Sequence, residues 1–188
     1  MLGYLTHLVW DKDKTMGTRA CVARLVERAG GVKGFEGPYI HWDGYPEGVG
    51  QTLYRECRRL SPERVMGTLL TRRSGWSNVA GAKLDDAPVN MRERFGSMSN
   101  GPEYYPDDEG EMICTETSDN GIEYCYAFEQ VDGRWLMHVL SSVMPDGSQM
   151  VGMFGMSHPD WHGKWREIGC VDLSDPTEPD WATMGAND

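Results

Sequence analysis

The sequence lacks the features that would assign it directly to a secreted or membrane class. Its five cysteines include no C-x-x-C pair, and it has no membrane-length apolar run, internal repeat or low-complexity tract. An odd number of widely spaced cysteines argues against a secreted disulfide framework and indicates reduced thiols. The N-terminus is mildly apolar but has no basic region, so neither a signal peptide nor a spanning helix is predicted. These absences favour a soluble, cytoplasmic protein.

Basic residues are scarce in the second half of the chain. Residues 100–188 hold 3 Lys and Arg against 18 Asp and Glu, whereas residues 1–99 hold 15 against 11. The net charge of −11 predicts repulsion from nucleic acids and anionic membranes, so neither is an expected partner. A face built from the N-terminal half could still attract a small anion.

Length and composition predict one globular domain over residues 1–188. The chain is 39% hydrophobic with 23 glycines and 10 prolines, which is typical of a folded protein with many turns. Residues 74–110 are predicted to be a long irregular loop region with a short helix near 89–95, because prolines, glycines and an acidic run interrupt them.

The predicted fold class is α+β, with an N-terminal β-hairpin and two helices packed on a mostly antiparallel β-meander sheet. Residues 17–26 and 35–42 form the hairpin, and helices are predicted over 51–60 and from Pro62 onward. Glycine-containing turns separate the later strands. These strands are predicted over 112–117, 122–130, 134–140, 149–154 and 164–173.

Four sequence elements resemble small uncharacterised proteins of actinobacteria and of the phages that infect them. The elements are GTRA (17–20), YIHWDGYPEGVG (39–50), GWSNV (75–79) and EPDWATM (178–184). The resemblance spans about residues 16–184, and HWDGYP is its most specific part. It implies that residues 1–15 precede the usual start and form an N-terminal extension. It implies a setting in the host cytoplasm and a role as a phage accessory protein. It implies no activity and no catalytic residue, because none is known for those proteins.

The strongest candidate site is the glycine-rich loop at 43–50 and the helix that follows it. Glycines let backbone N–H groups approach a ligand, and a helix N-terminus favours an anion. Aromatic side chains beside the loop could stack on a base, and arginines could bind a phosphate. The predicted ligand-binding residues are His41, Trp42, Asp43, Tyr45, Gly48, Gly50, Arg55, Arg58 and Arg59.

A purely structural interpretation of the same residues is the more common one for such patterns. Gly/Pro turns and exposed arginine faces occur in many proteins without a ligand. The loop contains neither a Walker A motif nor G-x-G-x-x-G, so a nucleotide site rests on residue types alone.

Metal and nucleophile chemistry have less support. His158, His162 and Cys170 could supply two imidazoles and a thiolate to zinc, but no fourth ligand is evident and a packing loop is favoured. No cysteine or serine lies in a recognisable nucleophile motif. The sequence therefore predicts no metal, no cofactor and no catalytic residue.

Three functional hypotheses follow. The first is a non-catalytic protein that binds a small anionic or nucleotide-derived ligand, with sequestration of a host immune signal as its phage-related extension. The second is an interaction module that docks on a host protein through its acidic and aromatic surface. The third is a small nucleotide-directed hydrolase with His41 and Asp43 in acid–base roles. A homo-oligomer is compatible with all three.

Overall fold

The computed structural model describes residues 17–94, 99–118, 120–143 and 164–184. Within them the chain adopts a mixed α/β fold with one nine-stranded sheet and two α-helices. The strands are β1 (Ala20–Glu27), β2 (Lys33–Trp42), β3 (Trp76–Asn78), β4 (Val89–Asn90), β5 (Glu103–Tyr104), β6 (Ile113–Thr115), β7 (Tyr124–Val131), β8 (Arg134–Ser141) and β9 (Arg166–Asp172).

Both predicted helices are confirmed, and they follow β2 in succession. A π-helical turn over Pro46–Gly50 leads directly into α1 (Gln51–Arg59), and α2 (Pro62–Leu69) comes next. The Ser61 hydroxyl accepts a hydrogen bond of 3.3 Å from the Arg64 N–H and so caps α2. Pro62 occupies the first turn of α2, where its missing N–H costs nothing.

The sheet joins both halves of the chain. Its order is β4-β5-β3-β2-β1-β7-β8-β9, and β6 also pairs with β2. β1 and β2 form the predicted antiparallel hairpin, and β7, β8 and β9 form an antiparallel run. These two units meet through a parallel pairing of β1 with β7. Two further pairings, β2 with β3 and β4 with β5, are also parallel.

Apolar residues are buried in two clusters. The larger cluster combines residues of α1 and α2, including Leu53 and Leu69, with strand residues such as Val22 and Val139. The smaller cluster contains strand residues that alternate along the chain with those of the larger cluster. Within the smaller cluster, Phe35 packs edge-on against Trp165 at a centroid distance of 5.0 Å. Side chains alternate along a strand, so the two clusters lie on opposite faces of the sheet.

Two sequence-based expectations differ from the structure. The region 74–110 is not wholly irregular, because it contributes β3, β4 and β5 to the sheet. The expected helix near 89–95 is reduced to the short strand β4 and a 3₁₀ turn over Met91–Glu93. Strands of two or three residues are too short to show a hydrophobic period, which explains the error. The strand predicted over 149–154 lies outside the described residues.

Candidate functional site

The predicted glycine loop is a tightly hydrogen-bonded turn. The Gly44 N–H donates to the Thr18 carbonyl at 2.8 Å, and the Val49 N–H donates to the Asp43 carbonyl at 3.0 Å. Asp43 has a positive φ of 55°, a conformation that Asp adopts more readily than most residues. These backbone N–H groups bind carbonyls of the protein itself.

Gly48 and Gly50 are required by close packing. A Cβ atom at Gly48 would lie 2.1 Å from the Asp43 carbonyl oxygen. A Cβ atom at Gly50 would lie 2.8 Å from the Tyr126 ring and 3.2 Å from the Trp181 ring. Both glycines are buried. Their place in the sequence is therefore explained by packing, without a ligand.

Tyr126 fixes the loop to the sheet, and removal of the Tyr126 hydroxyl tests that contact. The buried Tyr126 hydroxyl donates to the Gly44 carbonyl at 2.7 Å. We expect Tyr126→Phe to lower the free energy of unfolding by about 1–3 kcal/mol, because it leaves a buried carbonyl without a partner. Chemical denaturation measures this loss. Tyr124→Phe on the same strand is the control, and an equal loss in both variants would contradict the assignment.

The three predicted arginines on α1 bind groups within the chain. Arg55 pairs with Glu178 at 3.0 Å, and Arg58 donates to the Ser174 carbonyl at 2.9 Å. Arg59 binds the carboxylates of Glu56 and Asp85. The structure thus engages all three arginines with other parts of the chain, and the cation that acts electrostatically on His41 is a different residue, Arg19.

His41 lies in an aromatic environment at the end of β2. Its Nδ1 is 2.9 Å from the Tyr39 hydroxyl, and Trp42 packs edge-on against it at a centroid distance of 4.5 Å. Tyr105 is also edge-on, at 6.3 Å. No residue in the described part of the chain hydrogen-bonds His41 Nε2. Trp42 itself is 39% exposed.

An open pocket of about 470 Å³ surrounds this histidine. Tyr45, which belongs to the glycine loop, is half-buried and does not line the pocket. Of the predicted site residues, only His41 lines the pocket, and Trp42 packs edge-on against His41. The lining residues are Tyr39, His41, Tyr105, Glu109, Glu111, Met112, Ile113 and Asn120.

The charges around the pocket favour a neutral imidazole. Burial and, after it, the nearby Arg19 charge lower the pKa of His41, so the ring is uncharged at neutral pH. Glu111 pairs with Arg73 at 2.6 Å, and Glu109 pairs with Arg92 at 3.1 Å. Each pocket carboxylate is therefore neutralised by an arginine.

Arg19 is the cation that acts on His41 from beside the pocket, and its own backbone N–H donates to the Glu123 carboxylate at 3.3 Å. Its Nη1 lies 3.2 Å from the position that a Cβ atom would take at Gly121, next to the pocket residue Asn120. Arg19 is exposed, and its guanidinium makes no ion pair with a carboxylate anywhere in residues 17–94, 99–118, 120–143 or 164–184. The cation is therefore available to an anionic group bound near His41.

A second polar cluster lies between β8 and β9. Nδ1 of the buried His138 is 2.9 Å from a Glu167 oxygen, and Nε2 is 3.0 Å from a Glu129 oxygen. Burial disfavours the imidazolium, but the interactions with Cys170 and Glu167 outweigh it and raise the pKa of His138 to about 10. Cys170 is exposed. The other two residues considered for zinc with it, His158 and His162, lie outside the described residues.

Sequence reasoning missed most residues of the pocket around His41 and of the polar cluster around His138. Tyr39 and His41 are two residues apart on β2, so their side chains lie on the same face of the strand. This spacing is the signal that could have linked them. Arg19, Tyr105 and Glu167 come from other strands or loops, and no local pattern marks their approach.

Comparison of the chain with protein-family models, with curated proteins and with solved structures finds no match in any of the three. Among the helices of the described residues, none combines the length and the apolar character needed to span a bilayer.

Proposed function

We propose that the protein binds a small anionic, nucleotide-derived ligand without turning it over, and that the ligand sits in the pocket around His41. The observation that carries this proposal is the His41 imidazole, whose Nε2 has no partner in the described chain, beside an exposed Arg19 whose guanidinium makes no ion pair among the described residues. The proposal keeps His41 and Trp42 from the sequence-based site and moves the cation from the α1 arginines to Arg19.

The pocket's size and lining suit such a ligand. Pockets for small molecules typically measure about 300–1,000 Å³, and this one measures about 470 Å³. Tyr39, Tyr105 and His41 offer ring surfaces for a planar base. Asn120 offers an amide with both donor and acceptor groups. An acidic group of the ligand would bind Arg19.

The surroundings of His41 favour binding over hydrolysis. A histidine that acts as a general base is commonly oriented by a carboxylate. In the described residues the partner of Nδ1 is the Tyr39 hydroxyl, and no serine or cysteine hydrogen-bonds the ring. These contacts support a role for the imidazole as a hydrogen-bonding group for the proposed ligand.

The resemblance to actinophage proteins extends the proposal to a particular setting. There the ligand would be a signal nucleotide of the bacterial host, and the protein would hold it in the host cytoplasm. This extension depends on the resemblance of the four sequence elements, and the pocket supports only the class of ligand.

The first test is native mass spectrometry of gently purified protein, followed by denaturing release of any bound molecule. We expect one small molecule per chain, recovered intact. Recovery of a chemically altered product would favour the hydrolase hypothesis. A ligand-free mass, with no binding from a panel of mono-, di- and cyclic nucleotides, would contradict the proposal and favour the interaction module.

Matched variants locate the site once a ligand is found. We expect His41→Ala and Arg19→Ala each to weaken binding about 10- to 100-fold, because each removes a hydrogen bond or an ion contact worth about 1.5–3 kcal/mol. Isothermal titration calorimetry measures the change. Arg55→Ala is the control, since its partner is Glu178. Loss of binding in Arg55→Ala alone would instead support the site predicted on α1.

A further inference from the structure

The cluster between β8 and β9 holds three metal-binding side chains of different kinds. His138 and Cys170 are directly paired across the two strands. A nitrogen of His138, a carboxylate oxygen of Glu167 and the sulfur of Cys170 all lie within 4.8 Å of one another. Nitrogen, oxygen and sulfur ligands at such spacing are those that Zn²⁺ binds in proteins.

The two nitrogens of His138 have different surroundings. Nδ1 lies beside Glu167 at 2.9 Å, so it is the nitrogen that faces the carboxylate of the cluster. Nε2 lies 3.0 Å from Glu129, and Lys33 is 3.8 Å from the same carboxylate. A metal-bound histidine usually donates its other N–H to a carboxylate, which fixes its tautomer and ring orientation. Glu129 occupies the position of that carboxylate.

From this geometry we propose that His138 Nδ1, Cys170 Sγ and a Glu167 oxygen form a binding site for a divalent transition-metal ion, with Zn²⁺ as its occupant. The exposed side of Cys170 leaves a fourth position for water. Three protein ligands with one open position are the arrangement found in catalytic zinc sites. This site is separate from the pocket around His41.

The distances and charges are compatible with a bound ion. Zinc–ligand bonds of roughly 2.0–2.3 Å place tetrahedral ligand atoms about 3.3–3.6 Å apart. The His138–Glu167 contact of 2.9 Å would therefore widen by a few tenths of an ångström, and a separation at the 4.8 Å limit would shorten by about 1.2 Å. Rotation of the glutamate and cysteine side chains would supply both changes. Binding displaces the proton on His138 Nδ1 and the thiol proton of Cys170 into solvent. The ion then takes the place of the Nδ1 proton between His138 and Glu167, and the neutral imidazole keeps its Nε2–H on Glu129.

Cobalt and zinc titrations of metal-free protein test the proposal, with the metal salts alone as probes. We expect one equivalent of Co²⁺ to give a thiolate-to-cobalt charge-transfer absorption, and one equivalent of Zn²⁺ to abolish it. A chromophoric chelator in competition then gives the Zn²⁺ affinity. Because the other four cysteines are buried, the absorption reports on Cys170.

Variants separate a metal site from a purely structural ion-pair cluster. Cys170→Ser changes an exposed side chain and should fold normally, with at least a 100-fold weaker affinity for Zn²⁺ and no charge-transfer absorption. Glu129→Gln should weaken Zn²⁺ binding about 10- to 100-fold while one ion still binds. Glu36→Gln, at an exposed glutamate of β2, is the control and should bind as the unchanged protein does.

Two results would overturn the proposal. One is an unchanged protein that takes up no Co²⁺ or Zn²⁺ at tenfold molar excess. The other is Cys170→Ser binding Zn²⁺ as tightly as the unchanged protein, with an unaltered unfolding midpoint in the metal-free state. Neither result bears on ligand binding at His41, which is measured on metal-free protein.

Discussion

Gly48→Ala is expected to lower the free energy of unfolding by at least about 3 kcal/mol. The new Cβ atom would lie 2.1 Å from the Asp43 carbonyl oxygen, and a backbone atom cannot move away without disturbing the turn before α1. Clashes in well-packed regions commonly cost about 1–3 kcal/mol, and more where nothing can yield. A protein of this size would lose roughly 6–12 °C of unfolding midpoint.

Gly67→Ala is the matched control for this experiment. Gly67 lies inside α2, and a Cβ atom there would meet nothing within 4 Å. Alanine is favoured over glycine inside a helix by about 0.5–1 kcal/mol, so the control should be slightly more stable than the unchanged protein. Thermal and urea unfolding of both variants measure the two opposite shifts. A Gly48→Ala protein of normal stability would show that the glycine is not needed for packing.

Glu116→Ala is expected to cost about 2–4 kcal/mol, the second of the two largest effects. The buried Glu116 carboxylate binds Arg28 through two hydrogen bonds of 2.8 and 3.0 Å and accepts a third, of 3.0 Å, from the Phe35 N–H. Breaking a buried ion pair typically costs about 3–5 kcal/mol. Arg28 is 36% exposed, so its unpaired charge can reach water, and the expected cost is correspondingly smaller.

The same carboxylate predicts a loss of stability in acid. Burial alone would raise the pKa of Glu116, but the hydrogen bonds from Arg28 and Phe35 outweigh it and lower the pKa below the ordinary value of 4.5. The contribution of ionised Glu116 to the free energy of unfolding is therefore complete above about pH 4.5. It is lost as the pH falls through the lowered pKa of this carboxyl. Glu116→Gln should flatten this part of the curve of unfolding free energy against pH. The pKa of Glu56 is also lowered, above all by its hydrogen bond to Arg59. Glu56 should therefore preserve part of the dependence of the unfolding free energy on pH in this variant.

Glu111→Gln is the control for the buried pair. Glu111 is exposed and pairs with the exposed Arg73. Pairs in contact with water contribute about 0–1 kcal/mol, so this variant should be nearly as stable as the unchanged protein. Equal losses in the Glu116 and Glu111 variants would show that burial does not determine the strength of these pairs.

The elements with strong local signals were predictable from sequence. The adjacent residues Ser61 and Pro62 mark the start of α2. The four-residue spacing of Leu53 and Cys57 identifies the buried side of α1. The turns around Gly30 and Gly133 likewise place the hairpins, since both have positive φ. The parallel pairing of β1 with β7 could not be predicted, because strand order depends on contacts between residues far apart in sequence.

The candidate site was predictable only at its centre. His41 and Trp42 stand out as residue types beside a structured turn, and the structure places His41 in a pocket. The α1 arginines looked equally suitable for an anion. Two of them have partners far away in sequence: Glu178 is 123 residues from Arg55, and the Ser174 carbonyl is 116 residues from Arg58. No local pattern reveals such contacts, and the three-residue spacing of Glu56 and Arg59 shows only one local pair. The His138 cluster was missed because its members lie on three different strands, with Glu129 and Glu167 at 9 and 29 residues from His138.

The parallel contact between β1 and β7 has a consequence for the order in which the protein forms during synthesis. β1 leaves the ribosome about 100 residues before β7, and the edge of β1 that β7 will cover has no partner during that interval. At typical elongation rates of about 5–20 residues per second this interval lasts roughly 5–20 seconds. The hairpin of β1 and β2 is thus exposed to wrong strand partners in the cell, and slow translation of residues 43–123 should increase aggregation of the nascent chain.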